Sequence, residues 1–298
     1  MNTMLKRLLT CFLLIAPLPG QDLNGVIDLH VHSGPDSMPR SIDAVDIVRL
    51  AKQRGLRAVV LKNHFEPTAS LAYVAAKLNP GIQVFGGIAL NRTVGGVNAA
   101  AVERMTRVAG GLGRVVWMPT FDSENQVRLS GEARPSVPVA REGALLPEVI
   151  DVLRLIAKND LVLATGHSSP AETLLLVREA KRLAVKHIMV THAIMPPIRM
   201  SPEQMKEAAK AGAFIEFVYN EVIGPRSVVS LADCAAAIRA VGVGSCVLAS
   251  DLGQPHNPLH LEGLEVLFAE LRAAGFSAAE IERMSKHNPA VLLGLSAP

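Results

Sequence analysis

His30 and His32 stand one residue apart in the stretch Val26-Ile27-Asp28-Leu29-His30-Val31-His32-Ser33-Gly34-Pro35-Asp36. The apolar and β-branched residues around them predict a strand. On a strand, residues i and i+2 share a face, so the two imidazoles project side by side. Two rings aimed at one point supply two ligands for a metal ion, each about 2 Å from a zinc. Ser33, Gly34 and Pro35 end the strand and leave the histidines at its C-terminal end. A His-x-His pair by itself is equally two hydrogen-bonded polar residues at a strand end. Its meaning depends on what the rest of the chain brings to the same place.

The elements that must position it follow a regular rhythm. A helix capped at Ser41 runs to about Arg54, where Gly55 stops it, and the strand Leu56–His64 follows. Helix Tyr73–Leu78 leads to strand Ile82–Ala89, and Gly95-Gly96 precedes a helix to about Ala109. Strand Arg114–Pro119 is followed by a polar run rich in Pro, Gly and Arg from Phe121 to Gly143, which reads as a loop over a barrel mouth. Helix Pro147–Lys158 feeds strand Leu161–Gly166. Ser169 caps a helix over 170–184, with Pro170 at its first position. Strand His187–Thr191, helix 202–211, strand Ala213–Val218, helix 230–240 and strand Cys246–Ser250 continue the alternation. Helices near 261–274 and 278–286 and a turn over 288–294 close the chain.

Eight strand–helix units with short connections imply a parallel sheet, and eight suggest closure into an α/β (β/α)8 TIM barrel. The strands are continuous apolar runs, as expected when both faces are buried. An open doubly wound sheet is the rival architecture. It is weakened by the lack of a Gly-x-Gly-x-x-Gly turn after the first strand.

Composition narrows the rest. The 298 residues are 49% apolar and only 4% aromatic, with no Lys/Arg block to follow phosphates, which argues against a nucleic-acid partner. The formal charge of +3 includes Lys6 and Arg7. Those two residues begin an N-terminal segment that reads as a secretory signal over residues 1–20: a basic start, a short apolar core at Leu8–Ile15, then Ala16-Pro17-Leu18-Pro19-Gly20. The apolar run is too short to span a bilayer comfortably. The expectation is export to the periplasm or medium, with residues 21–298 forming one domain. If the segment is not a signal, the chain stays in the cytoplasm. Cys234 and Cys246 fall in a helical and a strand pattern and read as small buried residues, not a disulfide. A homo-oligomer is compatible with all of this.

In such barrels, catalytic groups sit at the C-terminal strand ends. Those positions hold His30 and His32, Lys62 and His64, Asn91 and Arg92, Thr120 and Asp122, His167, His192, Glu216 with Tyr219 and Asn220, and Asp251. The set resembles the amidohydrolase superfamily over essentially the whole mature chain. More narrowly, Asp28–Asp36 with Leu61-Lys62-Asn63-His64 resembles an uncharacterised branch of it. The resemblance implies a divalent metal, zinc first with manganese, iron or cobalt as alternatives, held by His30, His32, His167, His192 and Asp251. It also implies that Asp251 acts as general base.

One departure stands out. Binuclear members carry a carboxylated lysine or a glutamate at the end of strand 4, where this chain has Trp117-Met118-Pro119-Thr120. The site therefore holds one ion, or another group bridges two, and Lys62 is the candidate bridge.

The implied chemistry is hydrolysis of an amide, cyclic amide or ester of a small molecule by a metal-activated water. Asp251 would take the water's proton and deliver it to the leaving group, and His192, or a second metal, would polarise the scissile carbonyl. His64, Asn91 and Arg92 are the candidate substrate contacts. Two rival readings are a single-metal non-oxidative decarboxylase and a barrel that binds metal without catalysis.

Overall fold

The computed structural model describes residues 23–223, 227 and 229–296. Residues 1–20, read above as a signal, lie outside them. Eight strands form one parallel sheet: β1 (Ile27–Val31), β2 (Ala58–Leu61), β3 (Gln83–Ala89), β4 (Gly113–Trp117), β5 (Val162–Ala164), β6 (His187–Val190), β7 (Phe214–Val218) and β8 (Cys246–Ala249). Each pairs with the next in chain order. The ends of the sheet meet just beyond β8. The peptide N–H of Asp251 donates to the His30 carbonyl at 2.9 Å, that of His32 donates to the Leu252 carbonyl at 3.0 Å, and Val31 bridges Leu252 in parallel. The fold is the (β/α)8 barrel that the alternation implies.

Strand alternation sorts the apolar side chains into two layers. One cluster gathers Ala58 and Val60, Val115 and Trp117, Val162 and Ala164, and Val247 and Ala249, every second residue of its strand. The intervening residues, among them Val59, Leu61, Val116, Leu163 and Leu248, pack against the helices. Around the sheet run α1 (Ala44–Gln53), α2 (Ala69–Leu78), α3 (Ala99–Thr106), α4 (Glu124–Ser130), α5 (Pro147–Lys158), α6 (Pro170–Arg182), α7 (Pro202–Lys210), α8 (Leu231–Val241) and α9 (His260–Ala273). Short helices α10 (Ala278–Glu282) and α11 (Asn288–Leu292) end the chain. No helix among the described residues is long and apolar enough to cross a membrane. Cys234 and Cys246 are free and buried.

Three local readings change. The first helix begins after Asp43, not Ser41, because Asp43 is extended and bridges Gly34, whose N–H donates to the Ile42 carbonyl and whose carbonyl accepts the Ala44 N–H. The second starts at Ala69. There Thr68 Oγ1 donates to the Leu61 carbonyl and accepts the Gly87 N–H, a long-range clamp that no periodicity reveals. The stretch 121–143 is not wholly irregular. Ser123 caps α4, and a short antiparallel hairpin joins 140–141 to 144–145.

Gly253 fixes the approach of the segment after β8 to β1. Its φ is +123°, and a Cβ there would lie 2.1 Å from the His32 carbonyl oxygen. Gly253→Ala should therefore lower the unfolding free energy by at least about 2 kcal/mol from backbone strain and collision. The expected reading is a lower urea midpoint with an unchanged slope. An unchanged midpoint would contradict this packing.

Candidate metal centre and pocket

β1 and the segment after β8 deliver the central group. His30 Nε2 and His32 Nε2 each lie 3.0 Å from the same oxygen, Asp251 Oδ1. The three ligand atoms fall within 4.8 Å of one another, and all three residues are buried. Two ligands about 2 Å from one ion stand roughly 3–3.5 Å apart, so the spacing fits a shared cation. Two imidazoles with one carboxylate suit a borderline divalent metal such as zinc.

The surrounding hydrogen bonds set the ring orientations. His30 Nδ1 donates to Glu216 Oε1 at 3.1 Å, which leaves its Nε2 lone pair facing Asp251. This carboxylate–imidazole pairing is the usual support of a metal-binding histidine. The other Glu216 oxygen accepts the His192 peptide N–H at 3.0 Å, so one carboxylate ties β1 to the end of β6. Asn220 Nδ2 donates to Asp251 Oδ2 at 3.2 Å. His192 and Asp251 both have positive φ, 23° and 51°, strained backbone of the kind that gathers at functional sites.

Charge follows burial and partners. Burial alone would raise Asp251, but His30 and His32 beside it hold its carboxyl well below the usual carboxylate range. Burial pushes His32 down to about 3 and His192 to about 4, so both are neutral lone-pair donors at neutral pH. His30 moves the other way: burial lowers it, yet Asp251 and Glu216 outweigh that and raise it. The same two carboxylates that favour a proton on His30 favour a metal cation in its place.

Lys62, at the end of β2, is also fully buried. Its Nζ lies 2.8 Å from His30 Nε2 and 5.7 Å from the centre of the Trp117 ring. Burial lowers it to about 8, against the opposing charges of Asp251 and Glu216.

Above these groups lies a pocket of about 230 Å³. Its walls include His32, Lys62, His64, His167, His192, Asn220 and Asp251, with Phe121, Met195, Pro196 and Pro197 forming an apolar side. His167 Nδ1 bonds Gln126 Oε1 at 3.0 Å, and His167 and His192 have ring centres 5.0 Å apart. These two rings face the pocket but do not join the close group of His30, His32 and Asp251.

Asn91 and Arg92 are placed differently. Asn91 is fully buried, and its amide is consumed within the protein: Oδ1 accepts the Thr120 and Asp122 N–H groups, and Nδ2 donates to the His64 carbonyl and Thr120 Oγ1. Arg92 is exposed and lines a separate surface pocket with Gly95, Gly96 and Val137. Asp122, the acid nearest the end of β4, accepts from Arg134 and from the Arg92 peptide. His260 is buried and bonds the His32 carbonyl at 2.9 Å through Nε2, so it supports β1 and lies outside any solvated loop.

Several supporting groups were not singled out in sequence. Gln126 sits in the stretch read as a loop, where the Ser123 cap was its one local signal. Asp28 accepts the Ser250 and His30 N–H groups, and burial raises it to about 6. Its place two residues before His30 on the same strand was the available clue.

The sequence of residues 25–216 matches a family of unknown function (DUF6282). The chain belongs to that family. No curated protein matches the sequence. Among solved structures, the barrel is similar to an amidohydrolase from Pseudomonas aeruginosa, with a TM-score of 0.64, 13% identity, and 91% of this chain and 97% of that one covered. It is also similar to an organophosphorus hydrolase from Deinococcus radiodurans, with a TM-score of 0.61, 16% identity, and 92% and 93% covered. A third neighbour is a weak promiscuous lactonase template engineered for organophosphate hydrolysis, with a TM-score of 0.61, 14% identity, and 93% and 98% covered. At these identities the likeness establishes the shared barrel fold.

Glu221, in the turn that follows β7, is buried, and burial raises its carboxyl well above the ordinary 4.5. Its Oε1 accepts the Val218 N–H at 3.3 Å, and Oε2 has no partner. The neutral acid is the form the fold favours. Its contribution is complete below the unfolded pKa and is lost as pH rises through the raised one. Glu221→Gln should therefore gain thermal midpoint over the wild type as pH goes from about 5 to about 8. Parallel curves for the two proteins across that range would refute this account.

Proposed function

We propose that this protein is a metal-dependent hydrolase of small molecules. The observation that carries the reading is the convergence of His30, His32 and Asp251 on one point at the mouth of the barrel, beneath a pocket of about 230 Å³. His30, His32 and Asp251 would hold the cation, with zinc the first candidate. When bound, it supplies Lewis acidity, which polarises an electron-rich oxygen and acidifies water.

The protein's own groups do the rest. Glu216 keeps a proton on His30 Nδ1 and so keeps Nε2 free to ligate. Asp251, held ionised, is the group able to accept a proton from water and return it to a leaving group. Asn220 aims its second oxygen. Lys62 adds positive charge beside the site and favours charge building on a substrate oxygen. His192 and His167, neutral and pocket-facing, orient the substrate. The bond cleaved is an amide, cyclic amide or ester. The printed descriptions of the structural neighbours, a lactonase template and organophosphorus hydrolases, support adding lactones and phosphotriesters to the substrates tried.

Two measurements test the reading. Metal analysis of protein purified without chelators should find close to one divalent ion per chain, and His32→Ala should lose it. Two ions per chain would return Lys62 to a bridging role, and none after reconstitution would end the proposal. On a panel of amides, lactones, hydantoins and phosphotriesters, Asp251→Asn should lower kcat by about 10²–10⁴-fold. Equal turnover by the variant and the wild type would exclude Asp251 as the base.

A further inference from the structure

The hydrogen bonds around His64 assign its proton. Asn91 Oδ1 accepts two backbone N–H groups, from Thr120 at 2.9 Å and Asp122 at 3.1 Å. Backbone N–H groups only donate, so this amide cannot be turned around, and Nδ2 is fixed as the donor. One of its hydrogens goes to the His64 carbonyl and the other to Thr120 Oγ1, each at 2.7 Å. Thr120 Oγ1 therefore accepts from Asn91 and still has its own hydrogen to place. Thr120 is fully buried, and among the described residues the acceptor within reach of that hydrogen is His64 Nδ1 at 2.9 Å. The opposite tautomer would put an N–H against a hydroxyl whose hydrogen had no acceptor, an unsatisfied buried donor of the kind folded proteins avoid.

If Nδ1 is the acceptor, the neutral ring carries its proton on Nε2. His64 lines the pocket, and its Nε2 has no hydrogen-bond partner among the described residues. The ring is held in plane between Phe121, 3.9 Å away at 28°, and His32, 4.8 Å away at 27°.

We propose that His64 presents a fixed Nε2–H to the pocket as a hydrogen-bond donor to a substrate oxygen, and acts neither as a metal ligand nor as a base. His167 is held at Nδ1 as well, 3.0 Å from the side-chain amide of Gln126. The segment after β4, which lacks an acidic ligand at the strand end, has this task instead: Thr120 sets the tautomer of His64, in the segment after β2. The substrate class is one with a lone-pair oxygen beside the scissile bond, a carbonyl or phosphoryl group. The contact with substrate rests on the hydrolase reading, whereas the tautomer does not.

The test separates the two. The full-length protein, labelled with ¹⁵N-histidine, is observed by long-range ¹H–¹⁵N correlation, with His64→Gln assigning the His64 signals. Wild type should show His64 as the Nε2–H tautomer, and Thr120→Val should lose that single pattern. His64→Gln should keep the wild-type metal content. On any substrate the wild type turns over, His64→Ala should lower kcat more than tenfold, and His64→Gln, which keeps an N–H donor, should recover part of that loss. An Nδ1–H tautomer in the wild type, loss of metal from His64→Gln, or an unchanged kcat in His64→Ala would each overturn the proposal. If the wild type turns over nothing, the hydrolase reading fails, while the tautomer and metal content still decide the state of His64.

Discussion

Asp28 ties the first strand to the last, and the rest of the site depends on that junction. Its Oδ1 accepts the N–H groups of both His30 and Ser250, while Ser250 Oγ donates to the His30 carbonyl. The next two residues, Asp251 and Leu252, pair with His30 and His32 through their backbones. The seam that closes the barrel is thus also the place where two histidines from the start of the chain meet an aspartate from near its end. A parallel barrel has no edge to spare at this point: if the seam opened, the ligands would separate by the same movement. Gly253, lying against the His32 carbonyl, and His260, bonded to that same carbonyl, press on the seam from outside.

Burial gives these groups their chemical character. In water, His32 and His192 would titrate within the physiological range. Enclosed, they are held neutral, with lone pairs available. Asp251 resists the same enclosure because two histidines face it. The result is a compact arrangement of two buried carboxylates, Asp251 and Glu216, the imidazoles between and beside them, and a buried lysine, in which positive charge is favoured at one point. Charges placed in a site of low dielectric act more strongly than they would at the surface, which is why a small number of groups suffices.

The insert after β4 shapes the other side of the pocket. Phe121 stacks on His64, Gln126 holds His167, and Asn125 ties the His167 carbonyl to that of Pro197. Arg134 and Asp122 fasten its base. A stretch of polar, Pro- and Gly-rich composition therefore forms the pocket wall and fixes two of its histidines.

The sequence by itself pointed to the barrel and to the residues from which the central group is drawn. Apolar runs at regular spacing can be buried only in a parallel sheet covered by helices. His30, His32, His167, His192 and Asp251 are polar residues at the ends of such runs, a position with few structural uses. Tertiary structure alone decided which of them meet. His30, His32 and Asp251 converge because the seam brings β1 and β8 together, a contact across more than 200 residues that no local pattern encodes. It also sent Arg92 to the outer surface and turned Asn91 inward to bond Thr120. Both follow strand 3, and their directions depend on a 3₁₀ turn at 92–94 and on partners far along the chain. The tautomer of His64 belongs to the same class, because it is set by a hydroxyl 56 residues away and an amide 27 residues away. Residue type and strand position are written locally. The direction of a polar side chain and the location of its proton are settled by whichever distant groups the fold places around it.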